Sequence, residues 1–130
     1  MNHAEHQAGL APTPGYRYAE RVGDRLYVAG QVPLDANGLL VAAQDPGGQA
    51  LACLHNLDTL LAVHGFDRAD VRRLVVYVIG EQPALAAAWQ TVRDHFGGCV
   101  PPATLLGVAA LGHAGQLVEI DATVTRAHGG

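Results

Sequence analysis

Two stretches near the C-terminus hold the side chains best placed for chemistry: Pro101-Pro102-Ala103-Thr104-Leu105-Leu106-Gly107-Val108 and Val118-Glu119-Ile120-Asp121-Ala122. The first reads as a buried-type strand that opens on a hydroxyl. In the second, Val118, Ile120, Ala122 and Val124 alternate with Glu119, Asp121 and Thr123, so one face calls for burial and the other carries carboxylates. A carboxylate fixed on a strand either stays solvated or, inside a cleft, positions water and takes up a proton. The pattern alone leaves Glu119 open between these roles. Other chemistries find less support. The seven histidines include His55, His64, His95, His113 and His128, and they form no His-x-His or His-Glu-x-x-His pattern of the kind that holds zinc. The 16 glycines build neither a G-x-G-x-x-G nor a Walker A loop, which argues against a nucleotide-phosphate site. Cys53 and Cys99 are far apart, without a Cys-x-x-Cys spacing or an adjacent base, so inert thiols in a reducing, cytoplasmic compartment are expected.

The elements that must position these groups follow from periodicity. A chain of 130 residues, 49% hydrophobic and 15% charged, suits one compact domain, expected over residues 14–127. Residues 1–13 are small and polar and are expected to fray or drape as a flexible segment, and residues 128–130 form a tail. Residues 1–10 have no apolar centre, so they do not read as a signal peptide, and no run is long and apolar enough to span a bilayer. The formal charge of −4 argues against nucleic-acid and membrane-surface partners and for a small-molecule ligand.

Gly23-Asp24 predicts a hairpin turn between strands at 16–21 and 26–29. A third strand at about 39–41 is expected after Asp35-Ala36-Asn37-Gly38, where the Asn-Gly step favours positive φ. Leu51, Leu54, Leu57, Leu60 and Leu61 recur at helical spacing within residues 48–64, with Gly65 as the cap. The β-branched run 71–79 reads as a central, well-covered strand. A second helix starts at Pro83, carries Leu85, Trp89, Val92 and Phe96 as its apolar stripe, and stops at Gly97-Gly98. Strands at 104–111 and 116–125 close the chain. The order β-β-β-α-β-α-β-β implies an α+β fold, a mixed six-stranded sheet with two helices on one face. A sheet with apolar residues on both sides is expected to oligomerise.

Over residues 16–127 the chain resembles the RidA/YjgF family, also called the L-PSP endoribonuclease family. The likeness rests on Val22-Gly23-Asp24-Arg25-Leu26-Tyr27-Val28-Ala29-Gly30-Gln31-Val32-Pro33, similar to the family strand ending in Ser-Gly-Gln-x-Pro. It continues through Leu54, Asn56 and Leu57, then Val75-Val76-Tyr77-Val78 and Val118-Glu119-Ile120. The resemblance implies a chorismate-mutase-like fold, a homotrimer whose sheets pack as a central barrel, and ligand clefts between neighbouring copies. It also implies hydrolysis of reactive imines or enamines to keto acids and ammonia, with no metal or organic cofactor.

By position, Glu119 matches the water-handling carboxylate, Tyr16 the aromatic bordering the cleft, and Gly30-Gln31 the strand end that offers backbone contacts. Thr104 stands where the family usually has an arginine that grips the substrate carboxylate. A bidentate arginine contact contributes about 1.5–3 kcal/mol, so its loss argues against efficient 2-iminoacid hydrolysis. Each residue also has a plainer reading: Thr104 as a strand-start hydroxyl, Tyr16 as a half-buried strand aromatic, and Gly30-Gln31 as a strand end. Two further readings stay open, a non-catalytic ligand-binding or regulatory module and, less supported by the acidic charge balance, an endoribonuclease.

Overall fold

A computed structural model describes residues 2–127; the expected tail at 128–130 lies outside the described residues. The chain runs α1 (His3–Gln7), β1 (Ala19–Val22), β2 (Arg25–Val28), α2 (Pro46–Val63), a 3₁₀ turn (Arg68–Asp70), β3 (Val71–Ile79), α3 (Gln82–His95), β4 (Ala103–Val108) and β5 (Val118–Thr125). The strands form one mixed sheet in the order β1-β2-β5-β3-β4, with β3 and β4 parallel and the other pairs antiparallel.

The β1-β2 hairpin turns on Gly23-Asp24, with Val22 opposite Arg25 and Gly23 at φ +60°. Helix α2 starts where Asp45 accepts the Gly48 N–H at 2.9 Å and Pro46 occupies the first turn, a position that needs no N–H donor. It ends before Gly65, whose φ of +77° suits a residue without a Cβ. Leu54, Leu57, Leu60 and Leu61 are buried as their spacing predicts, while Leu51 is 40% exposed and takes no part in the core.

The core lies between this helical layer and one face of the sheet, formed by Leu26, Leu74, Val76, Val78, Val118, Ile120 and Val124 with Ala50, Cys53, Leu54, Leu57, Ala88 and Val92. Leu85, Trp89 and Phe96 of the α3 stripe pack against it while partly buried. Burial pushes the Cys53 thiol well above its ordinary range, with the Glu119 carboxylate adding to the effect, and it stays protonated. Fully buried Gln49 ties the layers together: its Nε2 donates to the carbonyls of Gly115 (3.1 Å) and Ala42 (3.4 Å), and its Oε1 accepts the Leu117 N–H at 2.6 Å. Asp58 Oδ2, on α2, accepts from Arg68 Nη2 and lies 2.9 Å from His95 Nε2 on α3.

Three expectations need correction. The sheet has five strands, not six: the run at 39–41 makes a single bridge, Leu34 to Leu40, because Pro33 lacks an N–H and Ala42 turns to φ +53°. Residues 2–13 do not lie outside the folded domain. Asn2 and Glu5 form a reciprocal capping box around α1, Leu10 packs with Tyr18 and Leu60, and Tyr18 donates its hydroxyl to the buried Ala11 carbonyl at 2.7 Å. Buried Glu5 also lies 2.7 Å from His64 at the end of α2. Finally, β3 is central but covered on one face, because Arg73, Val75, Tyr77 and Ile79 alternate away from the helices.

Candidate functional site

Glu119 is placed by three local facts. It follows Val118 on β5, whose buried phase faces the helices, so Glu119 points to the open face. Its neighbour Ile120 pairs with Gln31, which brings the 29–32 segment alongside β5 on the side away from β3. The carboxylate then leans over Gly30. A Cβ at Gly30 would fall on it, with Cδ at 2.9 Å, so this close approach requires glycine.

Buried Gln116 holds the other carboxylate oxygen. Its Nε2 donates to Glu119 Oε1 at 3.3 Å and to the Val118 carbonyl at 3.0 Å, while its Oε1 accepts the His113 N–H at 3.1 Å. One amide therefore couples the carboxylate to the loop between β4 and β5.

The resulting hollow, of about 350 Å³, is lined by Pro14, Tyr16, Gly30, Gly112, His113 and Glu119, among others. On its other side Glu119 borders a shallower hollow of about 480 Å³ with Val28, Tyr77, Val108 and Asp121. Tyr16 is raised above its ordinary pKa, first by partial burial and then by the Glu119 charge, so its phenol is a proton donor at neutral pH. A carboxylate that accepts, a phenol that donates and a glycine backbone around one hollow can hold a water against a small polar molecule.

Three of the residues singled out from the sequence thus meet, namely Tyr16, Gly30 and Glu119. Gln31 does not join them. Its N–H and carbonyl both pair with Ile120, at 2.7 and 3.1 Å, and its buried side chain donates back to the Ala29 carbonyl at 2.8 Å. Its Oε1 has no hydrogen-bond donor among the described residues. It serves as a strut between the 29–32 segment and β5.

Thr104 is also elsewhere. It pairs with Val75, which pairs with Asp121, so it stands two strands across and two residues along from Glu119. At about 4.8 Å per strand and 3.3 Å per residue, that is about 12 Å between backbones. Its Oγ1 accepts from Arg73 Nη2 at 2.8 Å.

Sequence reasoning missed His113, Gln116 and Arg73. Gln116 had a signal, being a polar residue in phase with the buried Val118, Ile120 and Val124. Cys99, expected as inert packing, is exposed beside Arg68 and Phe96 in a separate depression. Among the described residues no three His, Cys, Asp or Glu side chains converge as metal ligands, and no helix is long and apolar enough to cross a membrane.

Known proteins resemble this chain in sequence and fold over almost its whole length. The family model described as Endoribonuclease L-PSP matches residues 6–126. A RutC family protein of Pyrococcus horikoshii is 28% identical over 114 residues, covering 86% of this chain and 89% of the relative. A Mycobacterium tuberculosis member of the YjgF/YER057c/UK114 family superposes with a TM-score of 0.73 at 28% identity, covering 86% of this chain and 87% of that one. The YjgF gene product of Escherichia coli reaches a TM-score of 0.80 at 24% identity, with 94% and 95% covered.

Proposed function

Since the chain belongs to the endoribonuclease L-PSP family, the RidA/YjgF group, we propose that it works as a cytoplasmic homotrimer that binds a small metabolite at Glu119 and hydrolyses an imine or enamine there. The single observation behind this reading is the Glu119 carboxylate, held by Gln116 over Gly30 in a hollow that it shares with Tyr16. Self-association is supported by the uncovered sheet face, where Val75, Tyr77, Ile79, Leu106 and Val108 share a surface with Glu119 and Asp121.

The chemistry asks little of the protein. Water adds to the imine carbon as Glu119 takes its proton, giving an amino alcohol whose nitrogen then receives a proton and leaves. One imine and one water become one carbonyl compound and one ammonia: the carbon–nitrogen double bond is replaced by a carbon–oxygen double bond. The balance needs proton transfer but no electron carrier. The Tyr16 hydroxyl is the donor facing the polar intermediate, and the backbone at Gly30 allows the carboxylate its close approach. Two free thiols, one buried and one exposed, accord with a reducing compartment.

Glu119→Gln preserves shape and hydrogen bonding while removing the base. Loss of at least about a hundredfold in imine hydrolysis, measured as keto-acid release with the protein still folded, is expected. Equal rates for the wild type and this variant would remove Glu119 from the mechanism. A non-catalytic ligand-binding role is the second reading, favoured by Thr104 in the arginine position. It predicts no turnover but a ligand-dependent rise in Tm across a metabolite panel. The family's ribonuclease description gains no support from a chain with net charge −4.

A further inference from the structure

We propose that Arg73 supplies the guanidinium that binds an anionic, carboxylate-bearing substrate, with Thr104 as its positioning residue, and that it serves the Glu119 hollow of a neighbouring copy. The assignment rests on the reading of Glu119 as the reacting centre and names the substrate class for it.

Arg73 lies on the uncovered face of β3, one strand from Thr104, and donates from Nη2 to the Thr104 hydroxyl oxygen at 2.8 Å. It forms no ion pair among the described residues, unlike Arg17 with Glu20 and Arg68 with Asp58. A neutral hydroxyl fixes its direction without neutralising its charge, and the rest of the guanidinium fork is left for an incoming anion. Thr104 is the acceptor in this contact, so its own O–H is free to donate to the same ligand. The Arg73 head is thus held at Thr104, the β4 position at which the family resemblance implies an arginine.

Distance decides which copy is served. Thr104 is about 12 Å from Glu119 within one chain, and the Glu119 carboxylate leans further off, toward Gly30. A 2-iminoacid has its carboxylate and its reacting carbon one bond apart, so one chain's Arg73 and Glu119 cannot grip the same molecule. A second copy must bring the guanidinium, and each site is incomplete alone.

The test compares 2-iminopropanoate, generated from alanine, with neutral propan-1-imine, released by flavin-dependent oxidation of propylamine. Arg73→Ala is expected to lower the preference for the anionic substrate, as a kcat/KM ratio, by about tenfold to a hundredfold, chiefly through KM. Thr104→Val should lower it less, and Arg73→Ala combined with Thr104→Arg should restore it. Co-expressed Arg73→Ala and Glu119→Gln chains should form mixed oligomers that turn over 2-iminopropanoate faster than either variant alone.

An unchanged preference in Arg73→Ala, no gain in the mixed oligomers, or a monomer by light scattering would each overturn the assignment. If the wild type hydrolyses neither imine, the hydrolytic reading fails by itself. Pyruvate then reports separately: a Tm rise in the wild type that Arg73→Ala loses upholds the anion site, and no rise in the wild type overturns it.

Discussion

On the helix side of the sheet, Leu74, Val76, Val78, Val118 and Ile120 are sealed under α2 and α3, and the Gln49 amide there is hydrogen-bonded within the chain through both its oxygen and its nitrogen. On the other side, Val75, Tyr77, Leu106 and Val108 stay half-buried among Arg73, Thr104, Glu119 and Asp121. The same five strands therefore carry a finished core on one face and an unfinished one on the other. Stability resides in the first, and the ingredients of chemistry in the second. The odd and even positions of one strand can then answer to different demands.

The sharpest way to break this contrast is to damage the sealed face. Leu54→Ala should cost about 2–5 kcal/mol, read as a lowered denaturation midpoint, because the removed side chain leaves a cavity that the packed layers cannot close. Leu106→Asp on the open face should leave the single chain within about 1 kcal/mol of wild type, yet shift light scattering to a smaller species. A comparable loss of chain stability from Leu106→Asp would show that this face is already complete. Gly30→Ala tests how closely the open face is built. Its Cβ displaces the Glu119 carboxylate, and about a tenfold loss of turnover or ligand affinity with little change in Tm is expected.

The smallest effect is on pH. Burial between the helices lowers the His95 pKa below its ordinary 6.5, against a partial offset from Asp58. The unfolded chain then binds more protons than the folded one once pH falls below about 6.5, so this histidine makes stability decline as pH drops through its folded pKa. Thermal melts of His95→Gln should show a shallower acid-side loss of Tm than wild type. An equal slope would remove His95 from that response.

Much of the sealed face was legible in the sequence. The run at 71–79 is a strand with those bounds, and Val92 and Phe96 of the α3 stripe reach the core, because burial on one side imposes a period that survives in residue type. Leu51 misled because an apolar residue at the right spacing can still face water. The strand at 39–41 misled because a turn signal guarantees a reversal and not a ladder. On the open face, residue type identified Glu119, Tyr16 and Gly30 only together with a family likeness. Arg73 reaches Thr104 across 31 positions of sequence, and no local period records such a pair.

Gln49 joins parts of the chain that secondary structure keeps separate: the first turn of α2, the Ala42 bend and the two ends of residues 115–117. The Leu117 amide lies outside every strand, yet its proton is committed to a fully buried side chain. In hydrogen exchange it should open with α2 and not with the loop that carries His113, so the segment leading into β5 and the helix behind the sheet behave as one cooperative unit. Gln49→Leu should release that proton first, and the loop at 112–116 with it.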